Sequence, residues 1–164
     1  MRIKDIEAFF EANVLKKTLK DISWYEEKEN NIVIRKTLVN SLSESFDFDE
    51  INKTIKTSDT LYFRDQKVIF VEFKSGKIPA KDLRLKAIES IISFYNFVYS
   101  NGFLEEISIP NQIFQIYFVY NHDSTPKELN YFSQIEKELH YEYRHLFSKF
   151  KLIDNQKFQK TFRV

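Results

Sequence analysis

Thr57 to Lys77, TSDTLYFRDQKVIFVEFKSGK, is the most strand-prone run of the chain, yet it carries Asp59, Glu72 and Lys74. Such charges are depleted in strands, so they restrict how this stretch can fold. Between Leu61 and Val71 only Arg64, Asp65, Gln66 and Lys67 are neither apolar nor aromatic, which places a turn in that quartet and a strand on either side. A two-residue loop at Asp65 and Gln66 pairs Arg64 with Lys67, Phe63 with Val68, Tyr62 with Ile69, Leu61 with Phe70, Thr60 with Val71 and Asp59 with Glu72. Directly opposed residues share a face about 5 Å apart, and the strand period of two adds Lys74 to it. At an effective dielectric of about 20, two bare carboxylates about 5 Å apart repel by roughly 3 kcal/mol. A bound divalent cation removes that penalty. Asp-Gln is not the Asn-Gly or Asp-Gly that a type I′ turn prefers, and a slip of one residue would send Asp59 to the other face.

Length and composition bound the rest. The 164 residues, 43% hydrophobic, suit one domain over 1–164 with a core of unusually large side chains, 17 Phe and 9 Tyr. Two glycines and three prolines leave no room for a long linker. The lack of cysteine excludes disulfides, thiolate zinc sites and cysteine nucleophiles. No run of about 18 apolar residues occurs, and acids interrupt MRIKDIEAFFEAN where a signal peptide would be apolar. The expectation is a soluble, cytoplasmic protein with no membrane partner.

A net charge of +1 does not announce a nucleic-acid binder, but the charges are unevenly spread. Glu44, Asp47, Asp49 and Glu50 form an acidic patch, whereas Lys74, Lys77, Lys81, Arg84 and Lys86 stand against one Asp82. That basic cluster begins beside the paired acids, where phosphate contacts would be wanted. An ordinary solvated helix start explains it equally well.

In chain order, Arg2 to Leu19 spaces Ile3, Ile6, Phe9, Phe10, Val14 and Leu15 as an amphipathic helix. A second helix, capped by Asp21 or Ser23 with Glu26 and Glu27 in its first turns, is expected to run on through Asn31 to Leu42, although Ile32, Val33 and Ile34 are β-branched. Ser45 to Lys56 reads as a first strand, Ser58 to Ser75 as the hairpin, and Ala80 to Tyr99 as a long helix burying Leu83, Ala87, Ile91, Phe94, Tyr95 and Val98. Gln112 to Tyr120, almost wholly apolar, fits a strand covered on both faces. Pro126 to about Lys149 reads as a helix, and Phe150 to Val164 as the remaining material for an edge strand. The predicted class is α/β, a mixed sheet of the α+β kind in αβββαβα order with helices on both faces.

This order, with Ser58-Asp59 opening one strand and Glu72-Phe73-Lys74 closing the next, resembles the PD-(D/E)xK nuclease superfamily, the restriction endonuclease-like fold, over roughly Ser45 to Tyr120. Ser58 stands where that motif has proline. The resemblance implies a metal-dependent endonuclease hydrolysing DNA, with RNA second. Asp59 and Glu72 would bind Mg²⁺, for which Mn²⁺ substitutes, Phe73 could add its backbone carbonyl, and Lys74 would position or activate the attacking water. Many members add a Glu from an N-terminal helix, here Glu27 ahead of Glu26, Glu11 and Glu7. Lys86 is the nearest match to the Gln or Lys that some relatives place on the following helix, and Lys77, Lys81 and Lys86 are the expected substrate contacts. Physically, phosphodiester hydrolysis needs a nucleophilic water and neutralisation of charge on the phosphate, and a hard cation held by carboxylates provides both.

Two bland alternatives stand beside this reading. Asp59, Glu72 and Lys74 could be a salt-bridge network on an edge hairpin, and the chain could be an inactive module of the same fold that binds nucleic acid or a protein partner. His122, His140 and His145 share no metal-ligand spacing, and His122 beside Asp123 reads most simply as a loop histidine. His140, Tyr141, Tyr143, Arg144 and His145 suit either a base-stacking surface or a packed helix end. A homodimer would suit cleavage of both strands of a duplex.

Overall fold

The computed structural model of the chain describes residues 2–51, 55, 57–103 and 112–164. Its elements are α1 (Ile3–Asn13), β1 (Lys16–Thr18), α2 (Leu19–Ile22), β2 (Trp24–Glu29), β3 (Ile32–Thr37), β4 (Glu44–Asp47), β5 (Thr60–Arg64), β6 (Lys67–Lys74), α3 (Ala80–Ser100), β7 (Phe114–Tyr120), α4 (Pro126–Glu142), β8 (Phe147–Asp154) and α5 (Asn155–Phe162). Six strands form one mixed sheet in the order β1-β4-β5-β6-β7-β8, and β2 and β3 form a separate ribbon. The chain is a mixed α/β protein.

The hairpin at its centre has the register read from the sequence, from Arg64 opposite Lys67 to Thr60 opposite Val71. Asp65 and Gln66 have φ of +50° and +57°, the left-handed values that a two-residue type I′ loop requires at both positions. β6 has β5 antiparallel on one side and β7 parallel on the other, so the hairpin lies mid-sheet. Its alternation serves two cores. Val68 and Phe70 pack with α1, α3 and α4, while Ile69 and Val71 pack with Leu19, Leu38, Val39 and Phe158 of α5. Two parallel crossovers, through α3 and α4, step the same way along the sheet; a common hand then puts both helices on one face. The predicted stripe of α3 is buried, and its Phe94 meets Phe10, Phe63, Phe70 and Phe114 at ring separations of 5.7–6.5 Å, the range of favourable edge and offset contacts.

The structure corrects four expectations. The first helix stops at Asn13, and Lys16–Thr18 pairs with β4 instead, which frees Leu19 to enter the second core. The predicted helix carrying Glu26 and Glu27 is the antiparallel ribbon β2–β3, turned at Asn30 and Asn31 with φ of +50° and +66°. Asn tolerates that conformation well, and the β-branched Ile32 to Ile34 favour the strand. The strand expected over Ser45 to Lys56 ends at Asp47, and its residues 52–54 and 56 lie outside the described ones. The helix expected to reach Lys149 ends at Glu142, because Phe147, Phe150 and Leu152 are buried in a strand beside β7. Among the described residues no helix is long and apolar enough to cross a membrane.

Candidate active site

β5 begins where β6 ends, so Asp59, one residue before β5, comes to the same sheet edge as Glu72, Phe73 and Lys74. The chain then turns through Ser75 to Pro79, and α3 runs back over the first core, bringing Lys86 from its second turn to that edge. The carboxyl ends of β6 and the parallel β7 lie together here, the position where open α/β sheets generally hold ligands.

Glu72 is the pivot. Its side chain is only 3% exposed, with Lys74 Nζ 2.8 Å from Oε1 and Lys86 Nζ 3.0 Å from Oε2. Both carboxylate oxygens of Glu72 thus have an ammonium within ion-pair distance. Lys86 also donates to the Thr57 carbonyl at 2.5 Å. Burial by itself lowers the Lys86 pKa, but Glu72 and Asp59 together more than offset it and hold the ammonium above the ordinary lysine value. Asp59 Oδ2 accepts the Phe73 N–H at 2.6 Å. Although part of Asp59 reaches a small cleft, the dense surroundings of its carboxyl push its pKa well above the ordinary carboxylate range. Repulsion by Glu72 adds to that, and the Phe73 N–H and the Lys86 charge oppose it.

Asp59 is fixed by the segment before it. The Ser58 N–H donates to Ser90 Oγ at 2.9 Å, the two serine hydroxyls are 2.8 Å apart, and Ser90 Oγ donates to the Lys86 carbonyl at 2.7 Å. A proline at 58 would have no N–H to give, so serine there lets α3 grip the strand. Thr57 Oγ1 in turn donates to Asp49 Oδ1 at 2.8 Å, and the Asp49 charge contributes to the raised pKa of Asp59. Asp49 is therefore the further acid near the pair. In the sequence it was one of an acidic patch, whose Asp47 is tied to Lys17.

Of the residues singled out in the sequence, Asp59, Glu72, Phe73, Lys74 and Lys86 converge. Phe73 contributes its N–H. Lys86 is an ion-pair partner of Glu72 and not an open substrate lysine. Lys77 and Lys81 are exposed near the turn and the start of α3. Glu27 is not on a helix: it lies on β2 with its side chain 47% exposed and Lys36 Nζ 2.7 Å away. Glu11 pairs with Lys16 at 2.6 Å, and His122 with Asp123 at 3.1 Å. At the end of α4, Arg144 lies over Tyr141, and Tyr143 stacks on Phe150.

Two neighbouring carboxylates, one of which resists ionisation until compensated, are hard oxygen donors of the kind a hard cation takes. Among the described residues no three Asp, Glu or His side chains gather as a metal site.

Fold and site together define a mixed α/β protein with an enclosed carboxylate–lysine cluster at the carboxyl end of its central strands. Set against protein-family models, curated proteins and solved structures, the chain matches none of them.

Proposed function

We propose that the chain is a metal-dependent endonuclease of the PD-(D/E)xK kind, acting in the cytoplasm on phosphodiester bonds of DNA in preference to RNA. The observation that carries this reading is the convergence of Asp59, Glu72, Lys74 and Lys86 on one largely enclosed sheet edge. A stability role alone does not account for it, since replacing buried ion pairs by apolar side chains is often neutral or stabilising. Asp59 and Glu72 would hold Mg²⁺, or Mn²⁺ in its place, and the ion when bound supplies charge neutralisation at the phosphate and a more acidic water. Lys74, a point charge 2.8 Å from Glu72 Oε1, orients the attacking water and balances the phosphate. Lys86 and the Phe73 N–H hold the two acids in place. Lys77 and Lys81 extend the cationic edge toward the substrate backbone. A two-fold pair of such sites would serve both strands of a duplex.

A second reading is favoured by one observation: both lysines already balance Glu72. A non-catalytic module that binds nucleic acid or a protein would keep such a cluster as structure. The test is incubation with plasmid, single-stranded, branched and RNA substrates in Mg²⁺ or Mn²⁺, with EDTA and Lys74→Ala as controls. Metal-dependent cleavage lost in Lys74→Ala supports the enzyme. No cleavage of any substrate, together with binding unchanged in Glu72→Gln, leaves the module.

A further inference from the structure

The ribbon β2–β3 takes no part in the main sheet, yet its base lines the same small cleft as Asp59 and Phe73. Alternation sorts its side chains into two unlike faces. On one, Glu27 and Glu29 of β2 lie opposite Ile34 and Ile32, with Lys36 opposite Tyr25. This face is satisfied within itself, since Lys36 pairs with both glutamates and Tyr25 packs on the core below. The other face sets Trp24, Glu26 and Lys28 opposite Thr37, Arg35 and Val33, so two cations stand against one acid. There the Arg35 guanidinium lies 4.4 Å from the Trp24 ring centroid, and Trp24 keeps 46% of its surface exposed at the cleft.

We propose that Trp24 and Arg35 form a stacking platform for an unpaired nucleobase, making single-stranded nucleic acid, or a single-stranded arm of a branched duplex, the preferred substrate. The proposal rests on the nuclease reading of Asp59 and Glu72 and extends it to the choice of strand. A base inside a duplex hides both faces against its neighbours, whereas an unpaired base can lay one against an indole. A guanidinium beside the ring adds a cation that can stack on the base or take its phosphate. A base seated on Trp24 puts its own strand at the mouth of the cleft that Asp59 lines. The opposite ribbon face, with one lysine to its two glutamates, has no surplus of cations to offer the same strand.

Trp24 is the sole tryptophan of the chain, so intrinsic emission reports on this platform. The experiment uses the full chain carrying Asp59→Asn, which prevents cleavage, at low salt. It is titrated with a thymidine oligomer of roughly 20 nucleotides, long enough to span one binding site, and with a duplex of equal length. The expected result is saturable quenching by the single strand and roughly tenfold weaker binding of the duplex. With a labelled oligomer, Trp24→Ala should weaken binding roughly 5- to 100-fold, Trp24→Phe should restore most of it, and Arg35→Ala should give a smaller loss. Circular dichroism checks that the variants keep their fold. Unchanged emission at saturating single strand, or full affinity in both Trp24→Ala and Arg35→Ala, would overturn the platform. Cleavage by the unmodified chain alongside silent emission rejects the platform and keeps the nuclease. Quenching without cleavage of any substrate keeps the platform and rejects hydrolysis.

Discussion

Among the described residues, two hairpins share the same kind of turn and have opposite fates. β5–β6 turns at Asp65 and Gln66 and lies mid-sheet, whereas β2–β3 turns at Asn30 and Asn31 and stands apart. Positive φ at both turn residues is common to the two, so turn chemistry does not decide where a hairpin goes. Side-chain alternation does. β6 presents apolar residues to both cores and a single acid to the edge, while β2 and β3 are exposed along most of their length and hold charges on both faces. The same residue types then have different consequences. Glu72 between two lysines is buried, and Glu27 beside Lys36 is solvated.

The sharpest way to break this contrast is to neutralise one glutamate in each hairpin. Glu72→Gln leaves two largely enclosed lysines short of their partner, and should abolish metal-dependent cleavage and cost about 3 kcal/mol in urea unfolding. Equal losses from Glu72→Gln and Glu27→Gln would erase the distinction. Asp59→Asn should go the other way in stability. Because the folded pKa of Asp59 lies above its unfolded value, the folded state binds the proton more tightly, so its contribution to stability is full below the ordinary carboxyl range and is lost as pH rises through the raised value. The asparagine variant should therefore be inactive, gain stability relative to the unmodified chain at pH 7, and lose that advantage near pH 4. A stability difference independent of pH would count against it.

Smaller effects test the turns. Gln66→Gly relieves a left-handed non-glycine residue and should stabilise the whole domain by about 0.5–1 kcal/mol. Asn31→Gly should shift global unfolding by only a few tenths of a kcal/mol, since a ribbon outside the main sheet opens locally. Hydrogen exchange should show β2–β3 amides exchanging well before those of β5–β6. Least of all, Glu27→Gln should cost under about 0.5 kcal/mol, as exposed pairs do, and leave cleavage intact.

What was legible in the sequence follows the same division. The central hairpin and its register could be read because burial on two faces forces a strong pattern, and the charges that broke it marked the site. The ribbon could not, because WYEEKE and IVIRKT are exposed and carry no period, and Asn-Asn is a weaker turn signal than Asn-Gly. An edge strand was expected from Phe150, but its start at Phe147 was hidden because Leu146, Phe147 and Phe150 continue the apolar spacing of α4, and only the unfilled edge of β7 assigns Phe147 to the strand. Asp49 looked like surface charge because its closeness to Asp59 depends on the Thr57 hydrogen bond. Lys86 was named from its place on the helix, but its partner Glu72 depended on how α3 folds back.

β6 also separates two kinds of chain closure. Its border with β5 is sealed by a two-residue turn, and its border with β7 only after the whole α3 crossover has returned. Local pairings close sooner than distant ones. On that order Asp59 and Glu72 meet with Lys74 beside them while Lys86 is still undocked, and the later arrival of α3 lessens their repulsion. The folding barrier should then carry more of this repulsion than the native state, where Glu72 still raises the Asp59 pKa, so added salt should speed refolding.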